Sequence, residues 1–370
     1  MCLSSVADAS IVAIASGDPY ATLTGVTSEQ VPPGRICVIG AGAFGRFCLD
    51  TYARVSDVSV VCVVDPDAAA LAKVHAPGAM LETDWRRAVE RSDAEVVHIL
   101  TPPDQRDPIV DAAIAAGKSV FCEKPPALAL DSLDRMMAAA QAGNVVFSVD
   151  YVMRHLAAFR LLRVLAGSGA LGAPRTLAFT NFAQNVPAGH WFWDQARSGG
   201  ILVEHGVHFF DIYGRLFGRA ESVRAIAPRP EVAAAAITYP SGRTGFYLHD
   251  FSYPPAVEQT RAELGFDKAT VTVDGWIATG VEGCVDRGRE PELRDAAGTS
   301  GVGIEIAGEG DVVRFRAAFP DRQAQYAAAI VAGMRDVVAA HRSRRGWPIS
   351  AADIRESLRV ALAAQQSATN

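Results

Sequence analysis

The 370-residue sequence predicts an α/β fold in two parts: a doubly wound parallel sheet, then an α+β domain with an open, mainly antiparallel sheet. Three observations support this. Strand patterns alternate with helix patterns up to about residue 150, and a glycine-rich turn follows the first strand. Beyond residue 150, strand patterns follow one another with few helices between them, which is typical of antiparallel sheets.

The strands of the first half are short and almost continuously apolar, as parallel strands covered on both faces require. They are predicted at residues 36–39, 58–64, 96–100, 119–122 and 145–149. Helices are predicted from the glycine turn to about residue 54, from about residue 67, over 107–116 and after Asp131. We expect Asp131 to cap its helix.

The second half begins with a predicted helix, a strand and a second helix, over 156–165, 175–182 and 202–217. Further strands are predicted at 223–227, 233–238, 245–251, 261–266 and 270–277. Residues 282–311 are rich in glycine and charge and are predicted to be a long surface excursion. The last helices cover 323–340 and start at Ser350, where Asp353 completes a capping box.

These patterns divide the chain into three stretches. Residues 1–33 are expected to be a poorly ordered extension, because no basic residue precedes their apolar stretch, as a signal peptide requires. Residues 34–150 form the first domain and 151–370 the second, whose final helices are able to pack back on the first. No apolar run is long enough to span a membrane, so the expected location is cytoplasmic.

The composition disfavours several classes of function. The formal net charge of −6 argues against nucleic-acid binding. The six cysteines show neither C-x-x-C spacing nor a Cys/His cluster, so no disulfide framework and no metal site are expected. A small-molecule substrate is the expected partner.

A dinucleotide site is predicted at a turn that follows a strand and opens a helix, Gly40-Ala41-Gly42-Ala43-Phe44-Gly45. The first glycine permits the tight turn, the second lets a pyrophosphate approach the backbone, and the third allows close packing of helix and strand. The helix N-terminus offers unpaired N–H groups to the phosphates. A glycine-rich turn that binds nothing is the alternative.

The expected partner of this turn is Asp65, which lies 20 residues beyond Gly45 and closes the second predicted strand. Its carboxylate can accept hydrogen bonds from both hydroxyls of a ribose. With Asp67 nearby and no adjacent basic residue, a 2′-phosphate would be repelled. NAD is therefore the predicted cofactor, and NADP stays open because an arginine from elsewhere in the chain could reach the site.

Two longer motifs lie downstream. One is Ala116-Gly117-Lys118-Ser119-Val120-Phe121-Cys122-Glu123-Lys124-Pro125, and the other is Gly199-Gly200-Ile201-Leu202-Val203-Glu204-His205-Gly206-Val207-His208-Phe209-Phe210-Asp211. Thr101-Pro102 and Met153-Arg154 follow predicted strands. In these motifs the chain resembles the Gfo/Idh/MocA family (glucose–fructose oxidoreductase, inositol dehydrogenase, rhizopine catabolism), whose hallmarks are Glu-Lys-Pro and G-G-x-x-x-D-x-G-x-H-x-x-D. The resemblance covers about residues 35–365.

The resemblance implies a Rossmann domain joined to an open-faced α/β domain, with nicotinamide and substrate meeting between them. The family's substrates are mostly sugars, cyclitols and related polyols, with some imine, diol and pigment reductases. Its members are usually dimers or tetramers packed through the second-domain sheet, so a homodimer or homotetramer is expected.

The resemblance also implies roles for matching residues. Lys124 matches the lysine that holds the reacting oxygen, where a cation stabilises alkoxide character, and His208 matches the proton-transfer histidine. Glu123 is expected at the nicotinamide edge, and a cis Lys124-Pro125 peptide would fix the turn that aims the lysine. The expected cofactor-binding residues are Gly40, Gly42, Ala43, Phe44, Gly45, Asp65, Thr101, Pro102, Glu123 and Lys124.

Helical spacing adds to the predicted site. Glu204, His208 and Asp211 fall at i, i+4 and i+7, on one face of a helix, whereas His205 points elsewhere. We predict Glu204 as a third catalytic residue; the family has an aspartate there, and the extra methylene leaves the class of substrate open. The alternative is that His208 is a core histidine whose ring is satisfied by Asp211.

Arg154, Trp191 and Asp211 are the candidate substrate contacts. Trp191 belongs to the aromatic run His190-Trp191-Phe192-Trp193, whose rings either stack on a substrate or pack against the sheet. Arg106 stands where many family members carry a histidine. We expect it to be a solvated residue at a helix N-terminus, with a contact to a substrate carboxylate or phosphate as the alternative.

The predicted function is an NAD(P)-dependent oxidoreductase that transfers hydride between nicotinamide and a secondary alcohol or ketone of a sugar, cyclitol or similar polyol. Three alternatives remain: reduction of a C=N or C=C bond in biosynthesis, glycoside cleavage in which NAD is oxidant and then reductant, and a dinucleotide-binding sensor without turnover. The presence of both Lys124 and His208 disfavours the sensor.

Overall fold

The computed structural model describes residues 32–369, so the expectation for residues 1–31 lies outside the described residues. The strands of the first sheet are β1 Gly34–Ile39, β2 Val58–Val64, β3 Met80–Glu82, β4 Val96–Ile99, β5 Ser119–Glu123 and β6 Phe147–Asp150. Within the described range they are all parallel, in the order β3-β2-β1-β4-β5-β6. The predicted doubly wound sheet is confirmed, and its order reverses between β1 and β4, where such folds bind ligands.

The helices of this part are α1 Ala43–Tyr52, α2 Ala68–Leu71, α3 Trp85–Arg91, α4 Arg106–Ala115 and α5 Leu130–Ala142. Two details differ from the prediction. Strand β3 was not predicted, because three residues are too few to show a period. Asp131 does not cap α5, which begins one residue earlier after Ala129; its carboxylate lies in the first turn, where negative charge suits the helix dipole.

The second sheet is also as predicted, open and mainly antiparallel. Its strands are β7 Pro174–Gln184, β8 Ser222–Arg229, β9 Val232–Tyr239, β10 Arg243–Tyr253, β11 Gln259–Phe266, β12 Ala269–Asp274, β13 Gly280–Asp286, β14 Glu305–Glu309 and β15 Val312–Ala318. The order is β14-β15-β13-β12-β11-β7-β10-β9-β8, and among the described strands only β7 and β10 pair in parallel.

The remaining helices are α6 Ala157–Gly167, α7 Gln195–Ser198, α8 Ile201–Glu204, α9 Gly206–Phe217, α10 Glu290–Ser300, α11 Arg322–Ser343 and α12 Ala351–Thr369. Helix α11 returns to the first sheet and contacts α1 and β5, and α12 contacts α5 as well as α8 and α9. The predicted cap of the last helix is present, since the Asp353 N–H donates to the Ser350 hydroxyl at 3.1 Å.

The predicted surface excursion over 282–311 is wrong. This stretch contains the end of β13, all of α10 and all of β14. Helix α10 buries Leu293, Ala296 and Ala297 and packs against α6. Two of these three residues are alanines, so the apolar face of the helix is too weak to be recognised from periodicity.

Candidate active site

The glycine turn has the geometry that its sequence predicts. Gly40 has φ of +111°, and a Cβ there would lie 3.0 Å from the Leu100 carbonyl carbon. A Cβ on Gly45 would lie 2.0 Å from the Gly40 oxygen, so no side chain fits between helix and turn. By contrast, a Cβ on Gly42 would have no neighbour within 4 Å. The turn therefore closes tightly at its two ends and is open in the middle.

The open middle of the turn suits a pyrophosphate. Helix α1 begins at Ala43, and no side chain in the described part of the chain caps it, so its first N–H groups are available to an anion. The Asp65 carboxylate accepts from the Ala41 N–H at 2.7 Å and from the Asp67 N–H at 2.9 Å, which fixes it beside the turn. These groups fit the phosphates and the adjacent ribose of a dinucleotide.

The loop after β4 forms the other side of the crevice. Thr101 and Pro102 lie in this loop, separated from the end of β4 by one residue. The Thr101 hydroxyl is buried and has no hydrogen-bond partner among residues 32–369. An unpaired buried hydroxyl is costly unless a ligand or water completes it. Its orphan state therefore also fits a group bound at this crevice.

Lys124 follows β5 and is joined to Pro125 by a cis peptide bond, as expected. Its Nζ atom lies 2.7 Å from Glu204 Oε1 and 2.7 Å from the Glu204 carbonyl oxygen. Both side chains are largely buried, with 10 % and 13 % of their surfaces exposed. Burial acts to raise the pKa of Glu204, but the charge and hydrogen bond of Lys124 hold it below its usual value. The two residues form an ion pair.

The predicted helix over 202–217 is two helices, α8 and α9, with a break at His205. In a continuous helix the Glu204 carbonyl would accept from the His208 N–H. Here that carbonyl accepts from Lys124, and the His208 N–H bonds to the His205 carbonyl at 3.3 Å. Glu204 therefore ends α8, whereas His208 and Asp211 lie on α9, so the three residues do not belong to one continuous helix as predicted.

His208 is buried, with 8 % of its surface exposed, and its Nδ1 atom has no hydrogen-bond partner in the described part of the chain. Burial, and then the charge of Lys124, lowers its pKa well below the usual value. The imidazole is therefore neutral near pH 7. A neutral ring with an unpartnered nitrogen is able to accept a proton.

Asp211 and Arg154 lie apart from this arrangement. The Asp211 carboxylate accepts from the Arg154 guanidinium through both oxygens, with an Nε–Oδ2 distance of 2.8 Å, and from the Ser357 hydroxyl at 2.6 Å. Asp211 is 2 % exposed. The two residues bind each other rather than His208 or Lys124, so the alternative in which Asp211 satisfies the His208 ring is not what the structure shows.

Arg106 is neither solvated nor free to contact a substrate, so both interpretations of it are wrong. It is 3 % exposed. Its guanidinium donates to the Thr101 carbonyl at 2.9 and 2.7 Å, to the Glu123 carbonyl at 2.6 Å and to the Pro125 carbonyl. Arg106 thus ties the loop after β4 to both neighbours of Lys124. No sequence motif around Arg106 indicates this role.

Two residues of the aromatic run before α7 pack against the second sheet, and the other two do not. Phe192 and Trp193 pack on Phe251, with ring centroids 4.9 and 6.3 Å away. His190 and Trp191 remain half-buried, with their centroids 5.3 Å apart. Burial lowers the pKa of His190 and the charge of Glu204 opposes this, so the two side chains are near each other.

Two aromatic residues that belong to none of the sequence motifs, Tyr326 and Trp276, also lie here. The Tyr326 ring on α11 is 5.9 Å from Phe44 of the glycine turn and 5.1 Å from Trp276, which follows β12. Trp276 is in turn 6.3 Å from the His208 ring. These rings connect the glycine turn to His208. No sequence motif indicates this contact, because the elements that carry the rings are distant in the chain.

No set of three His, Cys, Asp or Glu side chains within the described residues is arranged to hold a metal ion. None of the described helices combines the length and apolar character needed to cross a bilayer.

Models of known protein families match both halves of the chain. A family model described as "Oxidoreductase family, NAD-binding Rossmann fold" matches residues 34–151, and one described as "GFO/IDH/MocA C-terminal domain" matches residues 159–272. Inositol 2-dehydrogenase 4 of Saccharopolyspora erythraea is 32% identical over 217 residues, 57% of this chain and 60% of the relative. Inositol 2-dehydrogenase of Ralstonia nicotianae is 34% identical over 148 residues, 39% of this chain and 44% of the relative. The chain thus spans about half the length of the curated relatives it matches.

Solved structures share the fold over nearly the whole chain. GenD2 from gentamicin A biosynthesis, solved in complex with NAD, superposes with a TM-score of 0.74 and 23% identity, covering 94% of this chain and 97% of the other. Levoglucosan dehydrogenase, solved with NADH and L-sorbose, superposes with a TM-score of 0.75 and 18% identity, covering 92% and 97%.

Proposed function

The chain belongs to the Gfo/Idh/MocA family of oxidoreductases, with an NAD-binding Rossmann domain, and from this we propose that it is an NAD-dependent dehydrogenase of a sugar, cyclitol or related polyol. The observation that carries the proposal is the placement of the Lys124–Glu204 ion pair beside a neutral His208, whose Nδ1 atom has no partner among residues 32–369. A dinucleotide whose pyrophosphate binds at the glycine turn would supply a nicotinamide ring as the hydride acceptor or donor.

In the proposed reaction Lys124 holds the substrate oxygen. An ammonium group has three N–H donors, and two of them are directed at the side chain and carbonyl of Glu204. The third is left for the oxygen of an alcohol or ketone. Because Glu204 fixes the lysine in a largely buried site, its charge stabilises a developing alkoxide without reorganisation.

His208 moves the proton in this scheme. As an alcohol is oxidised, its neutral imidazole accepts the hydroxyl proton, and in the reverse direction the imidazolium returns it. The Lys124 charge and burial both favour the neutral ring, so His208 is ready as a base at neutral pH. Trp191 and Trp276 offer apolar ring faces on which the carbon skeleton of a polyol would rest.

Asp65 is proposed to select NAD over NADP. Its fixed carboxylate accepts hydrogen bonds from ribose hydroxyls and repels a 2′-phosphate. Asp65→Ala should weaken NADH binding at least tenfold, measured by fluorescence titration. Unchanged NADH affinity in this variant would remove the basis for the cofactor choice.

The activity is tested by screening NAD⁺ reduction against sugars, inositols and amino-sugars, and NADH oxidation against ketoses and cyclic imines. Lys124→Ala and His208→Ala should each lower turnover of the best substrate by roughly 100-fold or more, the usual size of an acid–base contribution. Lys268→Ala, on an exposed turn, is the matched control. Wild-type turnover in both site variants would show the mechanism to be wrong.

We also propose that the open face of the second sheet joins two or four copies of the chain. Phe246 and Ile226 are 55 % and 64 % exposed, and their register partners Ala236 and Ala234 are two residues apart on β9, so both lie on this face. Phe246→Lys should reduce the mass measured by light scattering. Leu81→Lys, at an exposed leucine of β3, should not. A wild-type monomer would exclude this assembly.

A further inference from the structure

A pair of buried carboxyl groups lies directly beside Lys124. Glu123 ends β5 and Asp150 ends β6, and the two are register partners across these parallel strands. Register partners on adjacent strands project their side chains to the same face of the sheet, so the two carboxyl groups are neighbours, and the charge of Glu123 acts to raise the pKa of Asp150. Glu123 is 7 % and Asp150 1 % exposed. Water therefore screens the charges of the two groups only weakly.

Neither carboxyl has a basic side chain as its direct partner. Within residues 32–369, neither Asp150 oxygen finds a hydrogen-bond donor, and Glu123 Oε2 accepts only from the Lys124 backbone N–H, at 3.1 Å. The two nearest cations are engaged elsewhere: Lys124 Nζ binds Glu204, and Arg106 binds backbone carbonyls. Two adjacent carboxylates without counter-ions cannot both be ionised at modest cost.

We propose that Glu123 and Asp150 share one proton, so that the pair is a single fixed negative charge beside the nicotinamide site. The proton lies in a hydrogen bond between the two carboxyl groups, which gives one of the two unpaired Asp150 oxygens a partner. The consequence for the cofactor rests on the proposed function. One negative charge beside the nicotinamide favours the cationic ring of NAD⁺ over the neutral ring of NADH.

The surroundings leave this charge constant near neutral pH. The titratable or charged groups around the pair are Cys48, Tyr52, Arg106, Cys122, Lys124, Glu204 and Tyr326. Burial raises the pKa of both thiols and of both phenols, so these four groups are neutral near pH 7. Burial also raises the pKa of Glu123, and burial with the charge of Glu123 raises that of Asp150 well above its usual value.

The shared proton is tested first on the protein without cofactor, by infrared spectroscopy of the carbonyl stretch of protonated carboxylic acids. Wild type should show this band at neutral pH. Asp150→Asn should abolish it, because the amide still donates a hydrogen bond to Glu123 and the charges of Lys124 and Arg106 favour the ionised form of Glu123, whereas the exposed control Asp295→Asn should retain it. A wild-type protein without the band overturns the proposal, and this needs no variant to fold.

The charge is tested by the ratio of the Kd values for NADH and NAD⁺. Asp150→Asn retains the Glu123 carboxylate, so its ratio should stay within twofold of wild type. The double variant E123Q/D150N has none, and its ratio should shift roughly tenfold or more towards NADH, as expected for a unit charge several Å away. Two ionised carboxylates would instead make Asp150→Asn shift the ratio, which would overturn the proposal.

The two levels of failure are distinguishable. Loss of the infrared band in Asp150→Asn, with no NAD⁺ or NADH binding to wild type, would leave the shared proton standing and remove the proposed function. Binding with an unshifted ratio in the double variant would overturn the electrostatic role and leave the proposed function intact.

Discussion

The Nζ atom of Lys124 lies 2.7 Å from the Glu204 carboxylate and 2.7 Å from the Glu204 carbonyl. One residue thus holds the lysine with both its side chain and its backbone. The carbonyl is available because the helix breaks at the next residue, His205. The break therefore makes the contact possible, and it couples the lysine of the first domain to the start of α9, which carries His208.

Replacing Glu204 with glutamine should lower kcat by roughly 10- to 100-fold, the usual cost of losing a group that orients a catalytic residue. The amide retains a hydrogen-bond acceptor but not the charge that pairs with Lys124. The Kd for NADH should stay within about twofold, because Glu204 is not expected to touch the dinucleotide.

Steady-state kinetics and fluorescence titration check this, with Glu282→Gln on the exposed side of β13 as control. Glu204→Asp should fall between wild type and Glu204→Gln, since the shorter carboxylate keeps its charge. Equal kcat in all the variants would contradict the role of the ion pair.

The pH dependence of alcohol oxidation should show the low pKa of His208. A base works when deprotonated, so activity is lost as pH falls through its pKa. Because burial and Lys124 lower that pKa, the acid limb of kcat/KM should lie below about 6.5, the value for a free histidine. Rates measured from pH 4 to 9 check this, and His75→Gln, on an exposed loop, should leave the limb in place. An acid limb at or above pH 6.5 would contradict a lowered pKa of His208.

Arg106→Lys should impair both stability and turnover. A lysine cannot reach the Thr101, Glu123 and Pro125 carbonyls together, and each buried acceptor left unpaired costs about 1–3 kcal/mol. Thermal unfolding measures the loss of stability. The control is Arg135→Met, which removes an exposed ion pair.

The effect on turnover should act through Lys124. Arg106→Lys should lower kcat in the wild-type background and have little further effect in Lys124→Ala, as a double-mutant cycle would show. Independent effects in that cycle would mean that Arg106 stabilises the fold without positioning the lysine.

Two glycines of the turn should respond differently to alanine. Gly42→Ala places a methyl group where the structure has open space, so the Tm should change little while the Kd for NADH rises at least tenfold. Gly45→Ala would place it 2.0 Å from the Gly40 oxygen, so both the Tm and the affinity should fall. Calorimetry and titration on the same samples separate the two. Equal loss of Tm in both would contradict an open site at Gly42.

Local patterns of the sequence were sufficient for most of the fold and for the cofactor side of the site. The parallel strands follow from continuous apolar runs, and the open second sheet from successive strands without helices. The turn at Gly40 and its partner Asp65 are adjacent in space because parallel strands end at one edge of a sheet. Periodicity failed for α10, whose apolar face is mostly alanine.

The sequence by itself determined the two sheets, the glycine turn and the residue types of the candidate site, because turn chemistry and side-chain period act over a few neighbouring residues. Only the tertiary structure decided which buried groups meet. It directs Arg106 to the backbone around Lys124, pairs Asp211 with Arg154 and sets Glu123 against Asp150. Those partners come from different strands and helices, and burial without water obliges each polar group to find one.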